Sequence, residues 1–292
     1  MDSSADRTAT GTEWSQSRHW SQLAPKWPVV GPPLRPVAED LGSCWDAVRE
    51  WVRDHGAPRV LLLGVTPELY HLPWPEGTDL LAVDRTQAMI DKLWPGPRRQ
   101  AHCADWLALT LPDGSRDLVL CDGGLHLLAY PQEQRRLAGL LRGVLSAEGL
   151  CILRLYVPPP QRESPDTVLE DFLAGRVSNL NVMKLRLGMA LQESAAEGVE
   201  LGAIWRAIHD AAGDLERLAE RIGWPVDHML AINTYRASAG RYHFVTVDQV
   251  GELFGGAPGG FEVRRLRVPS YELGERCPTI VLRRCPSGPS RL

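Results

Sequence analysis

No run of apolar residues in this chain is long enough to form a membrane-spanning helix. The polar start MDSSADRTATGTEW lacks the apolar core of a signal peptide. No basic block occurs; charges of both signs are interspersed and the net charge is -4, so nucleic acid is not expected as a partner. The six cysteines, Cys44, Cys103, Cys121, Cys151, Cys277 and Cys285, form no CxxC pair. Cys121 and Cys151 fall in apolar runs, where a thiol behaves as a small hydrophobe. Neither a disulfide scaffold nor a bound metal is therefore expected, and a reduced, cytoplasmic setting is. What the chain does have, at 292 residues, is ten tryptophans and 23 prolines, both high counts.

The stretch from Arg59 to Asp84 organises the rest. Val60-Leu61-Leu62-Leu63 is a short apolar run stopped by Gly64, the pattern of a strand buried on both faces of a parallel sheet. Leu80-Leu81-Ala82-Val83 follows after a helix-sized interval and ends on Asp84. An acid at that place, about twenty residues past the glycine, is where nucleotide-binding α/β folds accept ribose hydroxyls. The plain alternative is a solvated Asp at a strand end.

Periodicity extends the pattern on both sides. A helix is expected over 38–55, stopped by Gly56, and another over 87–93 capped by Thr86. Strands are expected at 99–102, 117–122 and 150–156, with a helix over 132–145. Alternation of strand and helix predicts a doubly wound sheet with ligands at the carboxyl ends of its strands. From about 161 to 240 the spacing is helical, with no strand. Two final strands, 261–268 and 279–283, are joined by a loop too short for a crossover helix and should be antiparallel.

In order and spacing, 38–156 and 241–285 resemble the class I S-adenosylmethionine-dependent methyltransferases. The resemblance implies an α/β, Rossmann-like fold: a doubly wound, seven-stranded, mostly parallel sheet with an antiparallel last strand. It implies S-adenosyl-L-methionine as cofactor. Leu61-Leu62-Leu63-Gly64-Val65-Thr66-Pro67-Glu68 stands at the family's glycine-rich turn beside the methionine portion; Gly64 matches the first glycine, while Thr66 and Glu68 replace the later ones. Asp84 would hold the ribose hydroxyls, with Arg85 flanking the adenine. In Cys103-Ala104-Asp105-Trp106, Asp105 would take the adenine amino group and Trp106 would pack on the ring. Asp117 to His126 resembles the strand end that faces the transferred methyl, which puts Asp122 and His126 nearest the chemistry.

Methyl transfer from a sulfonium is an in-line displacement that needs alignment, and a base when the acceptor carries a proton. A neutral His126 suits the base role, or else stacks within the protein. Trp106 is equally readable as ordinary core. The chain divides into a tail and Trp-rich lid at 1–37 carrying Trp14, Trp20 and Trp27, a core at 38–157 and 241–285, a helical insertion at 158–240 and a tail at 286–292. Lid and insertion would enclose a small-molecule acceptor in an aromatic pocket, with Trp20, Arg154, Tyr156, Tyr235, Tyr242 and Tyr271 as candidate contacts. Arg154 has a second reading, as the partner of a carboxylate in the inserted helices. The absence of a basic stripe and of the Asn-Pro-Pro-Tyr string argues against nucleic-acid acceptors. Apolar residues on the inserted helices are available to a homodimer. Two rival functions remain: a non-catalytic partner subunit or sensor of the same fold, supported by Thr66 and Glu68, and a nicotinamide oxidoreductase, which lacks its GxGxxG string.

Overall fold

The computed structural model describes residues 19–255 and 260–285; the expected tails and Trp14 lie outside them. After a helical stretch at 19–23 and a 3-10 segment, Ala24–Val29, the elements run as follows. The core opens with α1 (Ala38–His55), β1 (Arg59–Leu63), α2 (Pro67–Tyr70), β2 (Asp79–Asp84) and α3 (Gln87–Leu93). It continues with β3 (Ala101–Cys103), β4 (Arg116–Asp122), α4 (Gln132–Val144) and β5 (Leu145–Arg154). The insertion holds α5 (Pro165–Leu173), α6 (Leu180–Leu191), β6 (Val199–Glu200), α7 (Leu201–Ala212), α8 (Leu215–Ile222) and α9 (Val226–Leu230). The chain returns through β7 (Arg241–Tyr242) to α10 (Val247–Phe254), β8 (Phe261–Arg267) and β9 (Thr279–Arg284).

Seven strands form one sheet in the order β3-β2-β1-β4-β5-β9-β8. Neighbours from β3 to β5 are parallel, and β9 runs antiparallel to both β5 and β8, between which it lies. Side-chain alternation along the strands explains why the apolar runs are continuous. Leu61, Leu63, Leu81, Val83 and Val119 enter one layer, with Leu137 and Leu141 of α4 and Val250 and Leu253 of α10. Val60, Leu62, Leu80, Ala82 and Leu118 enter the other, with Val48 and Trp51 of α1 and Met89 and Ile90 of α3. Both faces are covered, so polar alternation never appears in the sequence. The insertion has a third apolar cluster of its own, built on α6, α7 and α8.

Local details differ from the sequence reading. Residues 98–100 are a 3-10 turn, and the edge strand β3 starts only at Ala101. The fifth strand begins at Leu145, five residues before the apolar run, because its polar start still pairs with Arg116. Thr86 makes no side-chain cap to α3; its N–H instead donates to Asp84 Oδ1 at 2.7 Å. The insertion carries a short antiparallel ribbon, β6 with β7, too brief to leave a period. Among the described residues no helix is long and apolar enough to cross a membrane.

Candidate functional site

Parallel strands end in turns on one edge of the sheet, and the cavity opens there. Its floor is Gly64, Asp84 and Asp122-Gly123-Gly124, at the ends of β1, β2 and β4. Trp20, Trp27 and Leu34 cover it from the N-terminal segment, while Lys184, Tyr235 and Tyr242 close it from the insertion. It offers about 130 Å³ to the centres of water-sized spheres. A single water needs roughly 10–15 Å³ by that measure, so the cavity has room for a ligand of many atoms.

At one end Gly64 turns with φ +96°, a conformation that favours glycine, and its N–H donates to Val83 O at 2.8 Å. The Asp84 carboxylate accepts from the backbone N–H groups of Thr86 and Val65, and burial raises its pKa to about 6. Trp106 is fixed by its indole N–H, which donates to Val83 O at 2.8 Å. Its ring lies against Gly124, where an added Cβ would come 2.7 Å from Cη2 and 2.6 Å from Cys121 Sγ. Gly124→Ala is therefore expected to displace Trp106 and destabilise the fold by about 1–3 kcal/mol, the usual range for overpacking. A urea titration checks this; an unchanged midpoint would mean the wall is soft.

His126 forms the middle of the cavity. Buried Gln134 clamps its turn, the side-chain amide donating to Leu125 O at 3.3 Å and Leu128 O at 3.0 Å. The imidazole stacks on Phe244 with centroids 5.5 Å apart and meets the rings of Tyr156 and Tyr242 at 5.1 and 4.4 Å. Burial lowers its pKa to about 3, and Nδ1 has no hydrogen-bond partner among the described residues. The ring is thus neutral at physiological pH and holds a proton poorly as a base.

Several residues expected at the site are engaged elsewhere. Asp122 lines the cavity, but its carboxylate takes the Arg154 guanidinium. Burial pushes the Asp122 carboxyl up, and Arg154 beside it pulls it back. Arg154 itself is 1 % exposed and is not on the cavity. It donates to Asp122, to Pro33 O at 2.7 Å and to Tyr156 OH at 3.2 Å, with Asp40 3.9 Å away. Arg154 thus has a carboxylate partner, but at the end of β4 and not in the inserted helices as expected, and together with Tyr156 OH it holds the carbonyls of Pro33 and Leu34 across the sheet end. Glu68 is not on the cavity either; Arg35 Nε donates to it at 2.8 Å. Asp105 accepts from Arg85 at 3.1 Å and from Leu107 N–H at 2.9 Å, leaving the lining to Arg85 and Trp106. Tyr271 donates to Asp40 at 3.0 Å, away from the cavity. Gly64, Thr66, Asp84, Arg85, Trp106, Asp122, His126, Trp20, Tyr156, Tyr235 and Tyr242 do come together there.

Sequence reasoning missed Lys184 and His19, which share the far end of the cavity. The signal for Lys184 was present: α6 is buried on nearly every face, and a lysine in such a helix is out of place.

No family model matches this chain, and no curated protein does. Solved structures do. A Rhodobacter sphaeroides protein described as a putative Zn-dependent alcohol dehydrogenase has TM-score 0.61 at 13% identity, over 94% of this chain and 100% of its own. The CcbJ methyltransferase of Streptomyces caelestis has TM-score 0.52 at 13% identity, over 94% and 99%. The 1,6-didemethyltoxoflavin-N1-methyltransferase of Burkholderia thailandensis, solved with 1,6-didemethyltoxoflavin and S-adenosylhomocysteine, has TM-score 0.50 at 12% identity, over 98% and 93%. Identities this low carry the architecture and leave activity to the site. The sheet order, with its antiparallel β9 set between β5 and β8, is the one the resemblance to class I methyltransferases leads one to expect.

Proposed function

We propose that this protein transfers a methyl group from S-adenosylmethionine to a compact acceptor held between the sheet, the N-terminal segment and the insertion. One observation carries the reading. A single cavity joins the nucleotide end, Gly64 and Asp84, to an aromatic chamber at Trp20, His126, Tyr235 and Tyr242. Such a site suits two ligands meeting end to end, and an enclosed chamber suits a small molecule more than a polymer.

The residues present fit the cofactor. Asp84 is a desolvated acceptor with few partners of its own, Gly64 leaves the backbone open to close approach, and Trp106 supplies a flat wall. When bound, the sulfonium supplies an electrophilic methyl for in-line displacement. The chain then has to align the acceptor and exclude water, which the aromatic walls and the segment pinned by Arg154 do. Since Asp122 is committed to Arg154 and His126 is a weak base, the site favours an acceptor that needs little help losing its proton. His126 then serves to position ligands by its face.

Calorimetric titration of cofactor-free protein with S-adenosylmethionine and S-adenosylhomocysteine tests this, with a nicotinamide dinucleotide as control. Micromolar binding of both sulfur ligands and none of the control is expected. Absence of sulfur-ligand binding would sink the proposal. The diversion of Glu68 and Asp105 from the cavity favours a second reading, a sensor that binds without turnover. Release of S-adenosylhomocysteine over a metabolite panel separates the enzyme from the sensor.

A further inference from the structure

Lys184 is only 6 % exposed, lines the cavity and takes part in no ion pair among the described residues; its Nζ lies over the face of Tyr235, 5.5 Å from the ring centroid. Burial lowers its pKa to about 8, with no neighbouring carboxylate to offset it, so it is still a cation at neutral pH. His19 lies beside it, edge-on to Tyr235 with centroids 4.9 Å apart. His19 Nδ1 faces the Thr234 carbonyl at 3.3 Å, which can only accept, so Nδ1 carries the proton. Its buried Nε2 is then a bare lone pair without a partner. A desolvated ammonium with no counter-charge is costly to a fold, and one that faces a cavity is kept by what the cavity binds.

Resting on the methyl-transfer reading, we propose that the acceptor is an aromatic molecule with an acidic oxygen, carboxylate or phenolate, seated on Lys184 at the end of the cavity remote from Asp84. The aromatic part follows from the walls beside Lys184: Trp20, Tyr235 and Tyr242. The anion follows from Lys184, which lines the cavity with no ion-pair partner among the described residues.

The test is calorimetric titration of the full chain with benzoate, its neutral isostere benzamide, and 4-nitrophenol, in wild type and Lys184→Met. Wild type is expected to prefer benzoate over benzamide by roughly ten- to a hundred-fold, the worth of one charge-assisted hydrogen bond. In Lys184→Met the preference is lost. A 4-nitrophenol absorbance that shifts to the phenolate form on binding assigns the oxygen to a phenol; benzoate binding without that shift assigns it to a carboxylate. Lys184→Met is also expected to melt about 3 °C or more above wild type, because it removes an uncompensated buried charge, whereas a lysine kept for structure would melt lower on removal. Equal affinity for benzoate and benzamide, a preference surviving in Lys184→Met, or no saturable binding of any probe would overturn the proposal. S-adenosylhomocysteine is titrated into both proteins alongside: failure there counts against the methyl-transfer reading and leaves the anion preference as its own result.

Discussion

Asp84→Ala is expected to weaken S-adenosylhomocysteine binding by roughly a hundredfold or more while the protein stays folded. A carboxylate that accepts two ribose hydroxyls makes two charge-assisted hydrogen bonds, each contributing about 1.5–3 kcal/mol. The folding penalty is smaller, because Asp84 closes one turn through the Thr86 N–H at 2.7 Å, a cap-like contact of about 1 kcal/mol. Calorimetry and a thermal melt on the same sample check both halves, and undiminished affinity would remove Asp84 from the site. The pH dependence supplies a second check. Asp84 rises from 3.8 to about 6 in the fold, with desolvation the first cause. Its contribution to stability is thus fully present below the unfolded value and is lost as pH rises from near 4 through about 6. Ligand binding has the opposite sign, since ribose hydroxyls need the ionised form. Affinity should fall by about tenfold per pH unit below pH 6. Asp84→Asn should be weak and flat across that range; a wild-type affinity independent of pH between 5 and 7 would contradict the assignment.

Arg154→Ala should be the most destabilising single change near the site, by about 3–5 kcal/mol. Arg154 and Asp122 are both buried, and removing one leaves the other charged without a partner. Asp40 is 3.9 Å away and loses part of its compensation too. The same substitution removes one of two donors to the Pro33 carbonyl, the other being Tyr156 OH at 3.3 Å, so the segment over the cavity loses part of its anchor. At about 2–4 °C per kcal/mol for a domain of this size, a drop of roughly 10 °C in melting temperature is expected. The double change Arg154→Met with Asp122→Asn should recover part of it, because the Asp122 charge leaves with its partner and Asp40 keeps the Val37 N–H and the Tyr271 hydroxyl. If the single variant melts within a degree or two of wild type, the pair is not the hinge between strand ends and covering segment that its geometry indicates.

Much of the core was legible before any coordinates. Apolar runs at 60–63, 80–83 and 117–122 gave strands because a parallel strand is covered on both faces and needs no partner to leave its mark. The closing pair β8 and β9 was legible from loop length alone. That Gly64, Asp84 and Trp106 would come to one cavity was legible for the same reason, since their place depends on the strand before them. Glu68, Asp105 and Tyr271 were not. Each is held by a residue whose proximity no local pattern announces: Arg35, Arg85 and Asp40 stand 33, 20 and 231 residues away.

The sequence by itself therefore determined the doubly wound sheet, its antiparallel end and the two strand ends that carry Gly64 and Asp84. Periodicity, glycine and chain length are local quantities, and these features answer to them. Only the tertiary structure decided which charges face the cavity. Arg154 turns inward to Asp122, Glu68 turns to Arg35, and Lys184 is left facing the cavity with no counter-ion among the described residues. Charge pairing under desolvation is settled by which groups meet once the lid, insertion and sheet have closed on one another, and that meeting has no period along the chain.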